Sequence, residues 1–252
     1  MMPGQLCSFL CDYASVMAGS GASGLRIQKN IERMARHYGC RTLLELTPST
    51  VKIQLYNTAD NAQRAFRSEV VAHSGISFSK IRKLSSLSWD IADNLTDYGS
   101  ALQRFQQIRN EKPLDGRIVR ALASAANASF CELFGGDFIS MLLVFAATYA
   151  GFFLKQSLIQ RKVNTYMTFL ISSFAAAIIA SAAYVFSLGN TPDVALGTSV
   201  LFLVPGVPYL NSVCDMLTGH HQLGMGRMVE ATILTACLSL GFCGAIVIMK
   251  IA

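Results

Sequence analysis

Apolar and polar positions alternate with two different periods in the first half of the chain. Leu6, Leu10 and Tyr13 recur at the spacing of one helix face, whereas Val51 and Ile53 alternate with polar residues as in a half-buried strand. The pattern predicts helices over 5–18, 25–38, 78–94 and 97–109, and strands over 42–47, 50–56 and 64–72. Such a mixture is typical of an α+β domain with a small antiparallel sheet.

Long apolar segments replace these short elements in the second half. There are five of them, over 118–134, 137–155, 164–187, 194–216 and 228–250. A helix that crosses a bilayer needs about 20 consecutive, mostly apolar residues. The segments therefore predict about five transmembrane helices.

The charge distribution divides the chain in the same way. Residues 1–120 contain 16 Lys and Arg and 10 Asp and Glu, whereas residues 121–252 contain five of each. Only 14% of all residues are charged, against about 25% in soluble domains. A helix-breaking stretch at 112–116 separates the halves, so we predict one domain over residues 1–116 and a transmembrane domain over residues 117–252.

The N-terminal domain is expected in the cytoplasm. Residues 1–20 lack a basic region, and Asp12 interrupts their apolar run, so we identify no signal peptide. The excess of Lys and Arg agrees with the positive-inside rule. The predicted fold class is an α-helical integral membrane protein, with about five transmembrane helices and an N-terminal cytoplasmic α+β domain containing a small antiparallel sheet.

The fourth apolar segment is interrupted by Pro205, Gly206 and Pro208. Proline interrupts a helix, and freed backbone groups are tolerated at membrane depth only inside protein or along a wet cavity. Secondary transporters bind their substrates at such broken helices. Asn211 and Asp215 follow on the same helix side as Pro208. We predict that these five residues bind or translocate a substrate.

Three further polar residues lie around the turn that follows the first apolar segment. An acid within the membrane is costly and is a functional candidate. We predict Asn127 as a translocation residue, and Glu132 and Asp137 as candidates for proton coupling or gating. The alternative is an interfacial position beside the tight turn at Gly135-Gly136.

Asp215 and His220 are candidates for the same coupling or gating role, because both lie near the inner end of the fourth segment. The alternative for Asp215 is a position at the membrane edge, where it pairs with Arg227. The alternative for His220, together with His221, is a polar turn. These residues do not have the spacing of a metal site, and we expect neither a metal nor another cofactor.

Motifs of the common enzyme classes are absent from the sequence. It contains no Walker loop, no Gly-x-Ser-x-Gly elbow and no zinc motif, so we do not expect an enzyme or a self-contained ATP-driven pump. No nucleic-acid reader motif accompanies the basic residues, which favours anionic lipid as their neighbour. Small residues are frequent in the apolar segments and allow close helix contacts. They predict a bundle, either oligomeric or tightly packed on itself.

One segment carries a family likeness. Residues 199–215, with the sequence SVLFLVPGVPYLNSVCD, resemble the signature of the threonine/serine exporter family. Gly21-Ala22 and the FCEL stretch at 130–133 are further similarities. The chain as a whole is similar to the larger subunit of the family's split bacterial form. It departs from the family at Ser23, where an acidic residue often follows the Gly-Ala pair.

The resemblance implies a cytoplasmic N-terminal domain, roughly five spans and a second set of spans, which fused relatives carry in one chain. Because this sequence lacks the second set, the resemblance implies a small multi-span partner subunit. We therefore expect a subunit of a secondary exporter in the bacterial inner membrane. Its expected substrates are threonine and serine or a dicarboxylate such as succinate. The alternative is a non-transporting membrane sensor or scaffold with a cytoplasmic regulatory domain.

Overall fold

The computed structural model describes residues 3–58, 62–72 and 75–251. The chain forms two compact units, one of Met1–Lys112 with Gly206–Val229 and one of Pro113–Pro205 with Glu230–Ala252. The sequence places the domain boundary at residue 116, whereas residues 206–229 belong to the same compact unit as the N-terminal residues. The cytoplasmic and membrane locations of the two predicted domains remain predictions.

The N-terminal part of the first unit contains the predicted helices and strands. They are α1 (Pro3–Gly19), α2 (Gly24–His37), β1 (Cys40–Leu46), β2 (Thr50–Asn57), β3 (Gln63–Val70), α3 (Phe78–Ala92) and α4 (Tyr98–Arg109). Gly39 follows α2 with a φ of 63°, a value that glycine adopts without strain, and such a residue commonly ends a helix.

The three strands form an antiparallel sheet in the order β1-β2-β3, which confirms the prediction. Alternate residues of a strand lie on opposite faces of the sheet. The apolar residues Val51, Ile53 and Leu55 of β2 lie on one face and are fully inaccessible to solvent. Helix α1 packs across this face. The thiols of Cys7 and Cys11 approach the carbonyl oxygens of Ile53 and Val51 at 3.7 and 3.6 Å.

Helix α1 is the centre of the hydrophobic core. Its residues Leu10, Tyr13 and Met17 are fully buried, so the helix is covered on more sides than an ordinary surface helix. The Tyr13 hydroxyl donates a hydrogen bond of 2.7 Å to the carbonyl of Leu84 on α3. The Phe105 ring of α4 packs edge-to-face against the Phe9 ring of α1. The sheet and the helices α2 to α4 therefore share one core built around α1.

Seven more helices follow in the part of the chain that the structure describes. They are α5 (Gly116–Leu133), α6 (Phe138–Gln160), α7 (Thr165–Ala180), α8 (Ala182–Val185), α9 (Pro192–Thr198), α10 (Gly206–Leu217) and α11 (His221–Met249), with a short 3-10 helix at Leu201–Leu203 between α9 and α10. The break between α7 and α8 falls at Ser181, whose hydroxyl bonds back to the carbonyl of Ala177 at 2.7 Å.

Three helical segments of the described chain are long and apolar enough to cross a membrane. They are Phe138–Gln160, Thr165–Val185 and His221–Met249, and a fourth is added if Pro192–Leu203 and Gly206–Leu217 form one broken span. The structure therefore supports three to four spans, and the predicted number of about five spans is not confirmed. Helix α5 is not among them, because Arg117, Arg120 and Glu132 place three charges within its 18 residues.

Small residues allow close helix contacts within the second unit. Ala176, Ala177 and Ala180 of α7 are fully buried. A Cβ atom on Gly241 of α11 would overlap the Ser173 hydroxyl of α7. Close approach of small residues is the usual means of packing helices where no hydrophobic effect drives association.

Ile53→Ala tests the position of the core. We expect it to destabilise the first unit by about 2–5 kcal/mol, because it removes a fully buried side chain and leaves a cavity. Leu43→Ala is the matched control, since Leu43 lies on β1 with 58% of its surface exposed. Thermal unfolding followed by the fluorescence of the single tryptophan measures both variants. Equal midpoints for the two would contradict the assigned buried face.

Candidate functional site

The proline motif marks the beginning of α10. Val204 has an extended backbone with φ −59° and ψ 123°, as expected for a residue that precedes proline. Helix α10 then begins at Gly206, so Pro208 lies in the first turn, where a backbone N–H would have no intrahelical partner. The predicted interruption is confirmed. The motif starts a new helix rather than kinking a continuous one.

The Asp215 carboxylate lies at the centre of a buried polar cluster in the first unit. Its side chain is fully inaccessible to solvent. Oδ1 accepts a hydrogen bond of 2.7 Å from the backbone N–H of Gly24, at the start of α2. Oδ2 accepts one of 2.5 Å from Nη1 of Arg227. The pairing of Asp215 with Arg227, which is the alternative stated above for this residue, is therefore present.

Two further hydrogen bonds connect α10 and α11 to the loop before α2. Nη2 of Arg227 donates to the carbonyl of Ala22 at 2.8 Å. The amide of Asn211 donates to the carbonyl of Gly21 at 2.9 Å. We refer to Gly21, Ala22, Gly24, Asn211, Asp215 and Arg227 as the Asp215 cluster. Both predicted polar residues of α10 thus bind the same short loop.

His220 packs against the same loop. A Cβ atom on Gly24 would lie 2.7 Å from Cδ2 of the His220 ring, so only glycine leaves room for the imidazole. The backbone N–H of His220 donates to the Asp215 carbonyl at 2.8 Å. Within the described part of the chain, the buried Nε2 of His220 has no hydrogen-bond partner. A titratable ring therefore lies beside the residue that binds the Asp215 carboxylate.

The Asp215 cluster combines a fixed carboxylate with a fixed guanidinium. The side chain of Arg227 is only 12% exposed, and both of its terminal nitrogens are engaged. Losing one member of a buried pair leaves an uncompensated charge, which costs about 3–5 kcal/mol. A guanidinium in this position can bind a carboxylate group through two parallel hydrogen bonds. A second carboxylate could bind Arg227 in this way only by displacing Asp215 from it.

Asn127 lies in the second unit, among the apolar helices. It is 4% exposed, and its amide donates to Thr148 Oγ1 on α6 at 2.6 Å and to the carbonyl of Thr198 at 3.0 Å. Thr198 is the last residue of α9, where carbonyl groups lose their intrahelical partners. Asn127 thus satisfies a backbone group that the helix break sets free.

Asn127 also borders a groove of about 470 Å³ in the second unit. Its other lining residues are apolar and include the four rings of Phe130, Phe134, Phe152 and Phe202. A hydrophilic metabolite would find a single polar side chain there. The groove therefore offers such a ligand few hydrogen-bonding groups.

Asp137 is the N-cap of α6. Its carboxylate accepts hydrogen bonds from the backbone N–H of Ser140 at 2.9 Å and of Asn190 at 2.8 Å, and from the Thr191 hydroxyl at 3.1 Å. These bonds, those from Ser140 above all, lower the pKa of Asp137 to about 2. The carboxyl is therefore ionised at neutral pH, and its contacts are those of a capping residue.

Glu132 is exposed, and its side chain makes no hydrogen bond or ion pair with any described residue. The structure therefore brings Asn211, Asp215 and His220 together in the first unit, whereas Asn127, Glu132 and Asp137 belong to the second. The roles of all six residues in transport remain predictions.

Apart from the pairing of Asp215 with Arg227, sequence reasoning alone did not identify the partners of these residues. The Asp215 cluster depends on backbone groups of Gly21, Ala22 and Gly24, which carry no side-chain signal. Their only trace in the sequence is the Gly-Ala pair noted for its family resemblance. Thr148 and Thr198, which complete the Asn127 site, have no distinguishing motif.

The comparisons with known proteins decide the family. A family model described as "Putative threonine/serine exporter" matches residues 8–249. The chain belongs to the threonine/serine exporter family. Because this is a family of transporters, the prediction that the chain is not an enzyme is confirmed. No solved structure is significantly similar to the chain.

Three curated relatives of the family have informative names. The chain is 33% identical over 158 residues to "Probable succinate transporter subunit YjjP" of Escherichia coli (strain K12), with 62% of this chain and 60% of that protein covered. It is 32% identical over 150 residues to the protein of the same name from Klebsiella aerogenes, with coverages of 58% and 57%. It is 24% identical over 238 residues to "Probable threonine/serine exporter" of Mycobacterium tuberculosis, with coverages of 90% and 43%. The chain thus spans less than two thirds of the length of each relative.

Gly24→Ala tests the packing of the loop against His220. We expect a lower thermal midpoint, because the added Cβ would lie 2.7 Å from Cδ2 of the imidazole and would disturb the N–H that binds Asp215. Gly4→Ala is the control, since a Cβ there meets nothing within 4 Å. A Gly24→Ala variant as stable as the control would show that the loop does not pack tightly at this point.

Asn127→Ala tests the role of the amide in the second unit. We expect a loss of about 1–3 kcal/mol, the usual cost of leaving a buried carbonyl without its donor. Ser129→Ala is the control, because Ser129 is exposed on the same helix and bonds only its own turn. The fraction of monodisperse protein that remains after heating in detergent measures the difference. Equal heat resistance of the two variants would contradict the stabilising role of the hydrogen bonds from Asn127 to Thr148 and Thr198.

Proposed function

We propose that the chain is a membrane subunit of a secondary exporter that moves small hydrophilic metabolites out of the cell. Its substrates are threonine and serine or a dicarboxylate such as succinate. It acts with a small, separately encoded multi-span subunit in the bacterial inner membrane, and its N-terminal domain lies in the cytoplasm. Membership of the exporter family supports the activity, and the word "subunit" in the names of two relatives supports the partner.

The buried Asp215–Arg227 pair is the observation that carries the proposed mechanism. Both side chains lie on the helix hairpin formed by α10 and the start of α11, and α10 begins within the proline motif. Arginine is suited to bidentate binding of a carboxylate, and every proposed substrate has at least one carboxylate. We assign Arg227 as the group that receives the substrate carboxylate and Asp215 as the group that occupies Arg227 in its absence.

Displacement of Asp215 has a chemical consequence. A buried carboxylate without a positive partner is unstable unless it is neutralised. When the substrate takes Arg227, Asp215 therefore binds either a proton or the ammonium group of an amino acid. The His220 ring lies against Gly24, whose N–H binds the Asp215 carboxylate. We propose that a proton reaches or leaves Asp215 by way of His220. Substrate binding and proton movement are thereby coupled at one site.

The remaining predicted residues have supporting parts in this mechanism. Pro205, Gly206 and Pro208 fix the start of α10 and hence the position of Asn211 and Asp215. Asn127 holds the break of α9 at its carbonyl end. Its groove offers few polar groups to a hydrophilic substrate, so we propose that the partner subunit contributes further polar groups to the pathway.

Omission of each gene in turn tests the two-subunit exporter. Cells that carry both genes are loaded with labelled threonine or labelled succinate, and efflux of each is followed. We expect efflux of one substrate class only when both genes are present. Unchanged efflux after removal of this chain would contradict the transport function and would favour the alternative of a membrane sensor or scaffold.

Asp215→Asn tests the site itself. We expect export to be lost or uncoupled, because the amide can neither carry the negative charge nor take up a proton. Glu230→Gln is the matched control, since Glu230 is an exposed acid on α11. The double variant Asp215→Asn, Arg227→Gln removes both charges and leaves no unpaired ion, so it keeps the test valid if the single variant folds poorly. Full export by either Asp215 variant would refute the assignment.

A further inference from the structure

A basic groove lies on the surface of the first unit, away from the residues of the Asp215 cluster. It has a volume of about 430 Å³ and is lined by Lys29, Glu32, Arg33, Arg36, His37, Trp89 and Ala92. These residues come from α2 and α3. A neighbouring concavity, also of about 430 Å³, shares Glu32 and Arg36 and adds Arg41 of β1.

Arg33 is held rigidly in this groove. Its guanidinium carbon lies 3.6 Å from the centroid of the Trp89 ring system, and Nη1 donates to Asn30 Oδ1 at 3.0 Å and to Ser88 Oγ at 2.6 Å. Nε and Nη2 make no hydrogen bond with any residue that the structure describes. The side chain is therefore preorganised, with N–H donors left over for a ligand.

The charges in the groove are not balanced. Lys29, Arg33 and Arg36 are three cations, and Glu32 is the single carboxylate among the lining residues. Glu32 accepts a hydrogen bond from Gln28 at 2.7 Å. None of the three cations forms an ion pair with a described residue. The lining residues Lys29, Arg33, Arg36 and Glu32 thus carry a net charge of +2 (three cations, one carboxylate), and Asp93 at the end of α3 offsets part of it at Arg33.

The helix dipole explains only part of this arrangement. Cations in the last turn of a helix are favoured by the partial negative charge there, which accounts for Arg36 and His37. Lys29 and Arg33 lie one to two turns earlier, on the same face of α2. A general attraction to an anionic surface would need protruding cations, whereas Arg33 is recessed and stacked on an indole.

We propose that this groove binds a small dianion through its carboxylate or phosphate groups, with Arg33 and Trp89 forming the floor and Lys29 and Arg36 closing over the ligand. Two negative charges match the net charge of the lining residues. Planar carboxylate and tetrahedral phosphate groups are both good acceptors for guanidinium donors. The site does not depend on the proposed transport function, and each can fail without the other.

Trp89 provides the measurement, because it is the single tryptophan of the chain and 53% of its surface is exposed. The full chain in a neutral detergent is titrated at about pH 8 with succinate and with inorganic phosphate, both of which are dianions under these conditions, and the fluorescence is recorded. Sodium chloride at matched ionic strength and zwitterionic threonine are the reference titrations. We expect a saturable change with at least one dianion and none with either reference. A response equal to that of sodium chloride, or no saturable response, overturns the proposal.

Charge-neutralising variants locate the response. Lys29 and Arg36 are exposed, so Lys29→Gln with Arg36→Gln should leave the fold intact and weaken binding by about tenfold or more, as expected from the loss of two charged contacts. Arg82→Gln is the matched control, an exposed cation on α3 that does not line the groove. Equal affinities of the double variant and the control would overturn the proposal. So would a response to phosphatidylglycerol vesicles without one to either soluble dianion, which would assign the groove to a lipid surface.

Discussion

The structure of the proposed site depends on one buried ion pair. Asp215 and Arg227 are almost completely removed from solvent, and a pair in this position is stable only if its remaining donors and acceptors are satisfied. The loop before α2 satisfies them, through the N–H of Gly24 and the carbonyl of Ala22. The proline motif, the glycine loop and the hairpin between α10 and α11 are therefore parts of one arrangement, and a change in any of them alters the environment of Asp215.

A related constraint acts in the second unit. A helix that is interrupted among apolar helices exposes carbonyl groups that lipid cannot satisfy. The Thr198 carbonyl receives its hydrogen bond from Asn127, and the Thr148 hydroxyl accepts a second bond from the same amide. At the start of α6, the Asp137 carboxylate accepts hydrogen bonds from the N–H groups of Ser140 and Asn190. In both places a polar side chain forms hydrogen bonds with backbone groups that have no partner within a helix. Asn127 and Asp137, which were predicted to act in transport, therefore also have a structural role.

Local periodicity predicted the regular elements well and the contacts of the site poorly. The alternation of Val51, Ile53 and Leu55 identified both the strand and its buried face, since period and burial are properties of neighbouring residues. The break at Ser181 was missed, because one back-bonding hydroxyl does not change an apolar pattern. The bond between Asp215 and the N–H of Gly24 joins residues 191 positions apart. No local pattern contains such a contact, and only the pairing with Arg227, 12 residues away, could be proposed from the sequence.

The proposed mechanism requires Arg227 to exchange the Asp215 carboxylate for that of a substrate. Counterflow of labelled substrate into liposomes that contain both purified subunits tests it most directly, because it needs no energy source and reports binding and translocation alone. Liposomes with the wild-type chain should accumulate label against unlabelled threonine or succinate inside, and Asp215→Asn with Arg227→Gln should abolish this accumulation. Equal counterflow by the wild type and the double variant would contradict the account.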